Sequence, residues 1–400
     1  MTLAHFYDHT YYQDGGRTFS SGAFSQASWE RYLRHFDRLT VVANLGPAGT
    51  KTNGLNPVDH PSVDFAFVPN ARGLVNYLKY NAGFTEQLKD IIRRHDAVAV
   101  RLPSEIGLVV IELARQLGKP WAVELVGCCW DGYRNHGTLK GKLLAPITFP
   151  RTKRAVAASP HVISVTEHWL QARYPSEGHR AHASNVMVEV DGTGEVLRRR
   201  LEKIEMLSES NVAHIGLIAS VDVRLKGHAE LVRALAGLPA AMRNRYRVHF
   251  VGPGKGEWLK AAIAEAGLPA EHFTFHGKVP SGAPVLERLD GLDLYVHPSK
   301  KEGLPRVVIE AMSRGLPVLA SAAAGTPELV PEEYLHAPGD WERLREQLEN
   351  FLTEDRAVTA ASARRNFAVA KRYTAAELKV RRDQFWGEFA ATVAKPTLTC

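Results

Sequence analysis

The 400-residue chain is 45% apolar and 23% charged, the balance of a folded soluble protein, and it is long enough for two domains with separate cores. No run approaches the roughly 18–20 apolar residues that a membrane span needs, and Met1–Asp8 lacks the basic-then-apolar order of a secretory leader. Three cysteines, two of them adjacent, exclude a disulfide framework and offer no metal spacing; with a net charge of +7 they point to a reducing cytoplasm and to anionic partners.

In the first half, short apolar runs alternate with helical patterns. Leu3–Tyr7, Thr40–Leu45, Val63–Val68, Ala97–Leu102, Trp121–Val126 and Val162–Val165 read as buried strands. A helix is expected around Ser25–Phe36, and a clearer one over Ile106–Leu117, stopped by Gly118. Such alternation predicts a parallel sheet with helices on both faces. Gly15 and Gly16 follow the first strand, and 47–60 reads as a loop. Lys140, Lys142, Arg151, Lys153 and Arg154 surround the apolar run Leu143–Phe149, a pattern that suits either a solvated helix or the surface of an anionic membrane. Arg198–Arg200 is flanked by Glu195, Glu202 and Glu205 and reads as a solvated helix face. The pattern dissolves between Val190 and Ser210, which places a domain boundary near 195.

A second alternating set follows: strands at His214–Ala219, Arg247–Val251 and Phe273–His276, with helices at His228–Ala236 and Trp258–Ala266. Gly252–Gly256 is Gly-x-Gly-x-Gly, a tight turn and not a dinucleotide fingerprint, and no P-loop is present. Nucleic acid is not an expected partner, because basic residues are not interleaved with stacking aromatics. The strand Leu292–Val296 then ends at Pro298-Ser299, Pro305 suits a first helical turn, Gly315 stops that helix, and Leu316–Ala320 is the next strand. This puts Glu302 in the loop and Glu310 about a turn and a half into the helix. Carboxylates accept hydrogen bonds from hydroxyl pairs, so both suit the diols of a sugar or ribose beside a phosphate held at the helix start. Ala375–Val393 reads as a final helix bearing Phe385, Trp386 and Phe389.

The segment from His297-Pro-Ser through Glu302-Gly-Leu-Pro, Ile309-Glu-Ala-Met, Gly315-Leu-Pro-Val and Gly325-Thr-Pro-Glu-Leu-Val resembles the Glu-x7-Glu region of family 4 retaining glycosyltransferases. The resemblance implies an α/β GT-B architecture: two doubly wound Rossmann-like domains facing across a cleft. Residues 1–195 would form the acceptor side, 196–375 would bind the donor, and 376–400 would return to the first domain. It implies transfer of a hexose from a nucleotide-diphosphate sugar to a lipid-linked or polysaccharide acceptor, with no metal or other cofactor. Glu302, Lys226 and Arg224 would act in catalysis. Gly15, Gly16, Lys278, Val279, Gly303, Leu304, Pro305 and Glu310 would bind the donor.

Two departures stand out. Ser220 replaces the family's usual arginine, leaving Arg224, Lys226 and helix N–H groups to hold the diphosphate. The strand after Trp121 continues Glu124–Asp131 without the histidine many relatives carry, so Glu124 or Asp131 would contact the sugar instead. The alternatives are a nucleotide-sugar epimerase and a non-catalytic binder. The expected place is the cytoplasm, peripheral to the inner face of the membrane.

Overall fold

The computed structural model describes residues 1–21, 24–69, 82–134, 139–186, 188–207 and 212–394. They group into two compact units, Met1–Ala183 with the chain from Lys379 onward, and Ser184–Leu378. Among the described residues no helix is long and apolar enough to cross a membrane.

The described residues of the first unit hold nine strands. Seven run parallel in the order β5 (Val63–Val68), β3 (Arg38–Leu45), β1 (Thr2–Asp14), β6 (Ala97–Leu102), β7 (Trp121–Leu125), β8 (His161–Ser164) and β9 (His179–His182). The apolar face of this sheet, with Phe6, Val100 and Val123, is covered by Ile106, Val110 and Leu113 of the helix Glu105–Gln116. On the other face, Phe385, Trp386 and Phe389 of the final helix Ala375–Ala394 are fully buried. Trp386 meets Tyr32 edge-on at 4.8 Å, and Arg34 grips Asp383 through both carboxylate oxygens.

β1 is much longer than its apolar start predicts. Its polar continuation pairs antiparallel with β2 (Arg17–Ser20), and β2 pairs with β4 (Asn56–Pro57). Gly15 and Gly16, at φ +54° and +75°, form the two-residue turn between β1 and β2. That is a hairpin tip, where both residues need positive φ, and not the strand-to-helix loop that the sequence suggests. The expected helix over 25–36 shrinks to a 3-10 turn, Gln26–Ser28, and one helical turn, Glu30–Leu33.

In the second unit, six parallel strands run in the order β12 (Phe273–Phe275), β11 (Tyr246–Val251), β10 (Ala213–Ile218), β13 (Leu294–His297), β14 (Val318–Ser321) and β15 (Leu335–His336). Counted from β10, this order is 3-2-1-4-5-6, so the winding reverses between β10 and β13. Open sheets of this kind bind ligands at the carboxyl edge of that reversal.

The charged stretch near the expected boundary is the helix Glu195–Met206, packed within this unit. Arg198 and Arg199 do face solvent in pairs with Glu195 and Glu202, but Arg200 does not. It is 4% exposed, and its guanidinium donates to the carbonyls of Leu289, Leu292 and Arg314. Those oxygens lie at the ends of the helices Ala283–Gly291 and Arg306–Ser313, where carbonyls lack partners along the helix.

Candidate functional site

The site is built from the two loops that leave the winding reversal. After β10 comes a 3-10 turn, Arg224–Lys226, then Gly227 and the helix His228–Ala236. β13 is followed by Pro298–Pro305 and the helix Arg306–Ser313. Gly227 sits at φ +82°, and a Cβ there would lie 2.0 Å from the carbonyl oxygen of Pro298. Only glycine allows the loops this close. The Lys300 amide donates to the Leu225 carbonyl at 2.8 Å, and the Gly325 amide to Gly303 at 2.9 Å. Neither the helix His228–Ala236 nor the helix Arg306–Ser313 has a side-chain cap. Their first amides are therefore the free donors that suit an anion.

Glu302 is the hub. Its Oε1 accepts from Lys226 Nζ at 2.8 Å and from His297 Nε2 at 3.0 Å, and its side chain is 11% exposed. Burial works to raise its carboxyl, but His297 and Lys226 outweigh that and hold it well below the usual carboxylate range. Behind it, the Tyr295 hydroxyl lies 3.2 Å from His297 Nδ1. Glu310 lies on the second turn of the helix Arg306–Ser313. Burial pushes its carboxyl up, Arg306 only partly offsets this, and among the described residues no side chain pairs with it. A desolvated carboxylate without a partner is suited to receive ligand hydroxyls.

The structure therefore brings together Lys226, Glu302 and the buried Leu304 and Pro305, with Gly303 between them. Arg224 leaves the same loop but is exposed and lies over the Trp258 ring at 5.0 Å, so its charge is spent on an aromatic face. Lys278, exposed, and Val279 follow β12, two strands from β10 on the same sheet. Ser220 gives its hydroxyl to the Pro253 carbonyl.

In the first unit, Glu124 is not an open sugar contact. It is 5% exposed and accepts from the Tyr32 hydroxyl at 2.9 Å and from Arg101 at 2.8 Å, so its lone pairs are committed to a buried ion pair. Asp131 is half-buried, 3.7 Å from Arg173. The sequence reading overlooks His297 and Tyr295 as functional residues. Residues two apart on a strand share a face, so the strand ending Tyr295-Val-His297 carries a signal that aims both rings to one side.

A family model for "Glycosyl transferases group 1" matches residues 213–370, the segment that holds Lys226, Glu302 and Glu310. Protein CapJ of Staphylococcus aureus is 30% identical over 324 residues, 79% of this chain and 78% of that protein. The chain belongs to the group 1 glycosyltransferases. Another relative, the lipopolysaccharide glucosyltransferase WaaG of Escherichia coli (strain K12), is 29% identical over 137 residues, 33% of this chain and 36% of that protein. Among solved structures, Anabaena Alr3699/HepE in complex with UDP superposes with a TM-score of 0.65 at 19% identity, covering 98% of this chain and 100% of that one. At that identity the likeness shows the fold alone, the two-domain α/β GT-B type with parallel sheets.

Proposed function

We propose that this glycosyltransferase moves a hexose from a nucleotide-diphosphate sugar to a lipid-linked or polysaccharide acceptor, with retention at the anomeric carbon, in bacterial surface polysaccharide synthesis. The observation that carries the reading is Lys226 and Glu302 joined at the winding reversal, with the unpaired Glu310 on the helix that follows. The UDP complex of the Anabaena neighbour and the lipopolysaccharide relative support the donor and acceptor classes.

In this reading the acceptor hydroxyl attacks the anomeric carbon on the face that the diphosphate leaves. The bond from that carbon to the phosphate oxygen breaks, and a diphosphate oxygen takes the acceptor's proton. Lys226 and the uncapped amides of the two helices offset the charge that builds on the leaving group. Glu302 orients the sugar and Glu310 binds the ribose. Lys278 and Val279 lie against the base, and the Gly15–Gly16 backbone approaches the donor's diphosphate and the acceptor.

Acceptor-dependent release of nucleoside diphosphate, with the product's anomeric configuration read by NMR, tests the proposal. Isomerised sugar without an acceptor would mean an epimerase, and bound donor without turnover a binder. Glu310→Ala removes charge-assisted bonds worth ~1.5–3 kcal/mol each, so donor affinity by calorimetry is expected to fall at least about tenfold. Unchanged donor binding would defeat the ribose role.

The acceptor side of the proposal includes contact with anionic lipid. On the helix Leu139–Ala157, Leu143 and Ile147, one turn apart, are 64% and 54% exposed, with Lys142, Lys153 and Arg154 exposed beside them. Arg151 is turned toward Glu105 at 3.6 Å, and the Lys140 side chain lies outside the described residues. Aspartate at both 143 and 147 is expected to abolish sedimentation with phosphatidylglycerol vesicles while soluble-acceptor turnover persists. Full binding by that variant would remove this contact from the proposal.

A further inference from the structure

The ion pair between Lys226 and Glu302 poses a problem for the proposed reaction. Lys226 is asked to meet a diphosphate, yet in the structure its ammonium is given to Glu302. A diphosphate carries more charge than one carboxylate and competes for Lys226. When Lys226 turns to it, Glu302 loses one of two partners on Oε1, and a carboxylate on a loop would then be free to rotate away from the sugar.

His297 remains. It is 4% exposed, set at the last position of β13, and its Nε2 lies 3.0 Å from the same oxygen. A carboxylate only accepts, so Nε2 carries the hydrogen. The ring's other nitrogen, Nδ1, faces the Tyr295 hydroxyl, itself fully buried and 3.2 Å away. Burial, with the charges of Glu302 and Glu310, holds that phenol well above its ordinary range, so it keeps its proton and remains a hydroxyl able to pair with Nδ1. Among the described residues both of Glu302's bonds fall on Oε1, leaving Oε2 for a ligand.

We infer that His297, braced by Tyr295, is a positioning residue that keeps Glu302 aimed at the donor sugar once Lys226 has passed to the diphosphate. The inference rests on the glycosyltransferase reading and assigns a new role within it. In this role Tyr295 and His297 act through Glu302. They act on a rigid strand, where a ring has little freedom, whereas Glu302 sits in a loop.

The test is a kcat and donor-affinity comparison of His297→Ala, His297→Gln and Tyr295→Phe with Glu302→Gln. Loss of one charge-assisted bond predicts a kcat about tenfold lower or worse in His297→Ala, with calorimetric donor affinity within about threefold. His297→Gln places an amide N–H near the lost Nε2–H and is expected to recover most of that kcat. Tyr295→Phe, which removes the ring's second hydrogen bond, is expected to cost about threefold. A His297→Gln variant as slow as His297→Ala would mean that the ring only fills space, and would overturn the inference. So would a wild-type kcat in His297→Ala beside an impaired Glu302→Gln, which leaves the transferase reading standing. A fully active Glu302→Gln would bring down that reading and the inference with it. If His297→Ala fails to fold, His297→Gln and Tyr295→Phe decide: wild-type kcat in Tyr295→Phe with a dead, folded His297→Gln overturns the inference, and the graded losses above uphold it.

Discussion

Glu302→Ala is expected to lower turnover by about a hundredfold to a thousandfold, the range for removing one preorganised electrostatic group at a reacting centre. Donor affinity is expected to stay within about threefold, because two effects oppose each other. The variant loses carboxylate bonds to sugar hydroxyls, which weakens binding. It also frees Lys226 from its 2.8 Å pair and removes a negative charge that Lys226 and His297 keep ionised beside the incoming diphosphate. The second effect favours the donor even as the sugar loses its orientation. The measurement pairs steady-state release of nucleoside diphosphate with calorimetric titration of the donor. Equal losses in turnover and affinity would mean that Glu302 is an ordinary binding group, and unchanged turnover would remove it from the reaction.

What the sequence makes legible follows from where apolar side chains decide the structure. Val63–Val68, Ala97–Leu102 and His228–Ala236 coincide with the runs and periods that predict them; Ala97–Leu102, buried on both faces, needs near-continuous apolar residues, and the helix buries one face. The extension of β1 to Asp14 is not legible. Asp8-His-Thr-Tyr-Tyr-Gln-Asp14 is polar, and only pairing with β2 makes it a strand. Arg200 misleads for a related reason. Its neighbours in sequence are solvated acids, but its partners are carbonyls about 90 and 114 residues away, and no local pattern reports those. The site divides the same way. Glu302, Glu310 and Lys226 stand out by motif, while the ring contacts that aim Glu302, the stacking of Arg224 on Trp258 and the burial of Glu124 depend on pairings across strands and loops.

Acid is expected to unfold this protein well before its carboxylates are titrated. His5 and His228 are fully buried and His336 is 4% exposed, and each is held at about 4 against an ordinary value of 6.5. Burial is the main cause in all three. Arg101 and Arg31 add to it at His5, where Glu124 opposes; Lys226 and His297 add to it at His228; and the bond to Gln347 opposes it at His336. A lowered folded value means that, between about 6.5 and 4, the unfolded chain binds a proton at each position that the folded chain refuses. Stability is therefore intact above pH 6.5 and is lost as pH falls through that window. Each group contributes about 1.4 kcal/mol per pH unit there, so these three alone remove about 4 kcal/mol per unit from a typical stability of about 5–15, and the half-buried His249, also held at about 4, adds to the loss. Burial raises Glu310 and Glu354, which has the opposite sign and offsets part of the loss. Two of the three histidines lie in the second unit and one in the first, so the second unit is expected to soften first. Urea midpoints at pH 7.5, 6 and 5 check this, with His228→Leu expected to flatten the slope, since one linked proton is removed. A midpoint that stays level from pH 7.5 to 5 would mean that these rings are hydrated or protonated in the folded chain, and the packing described around His228 and Lys226 would have to be redrawn.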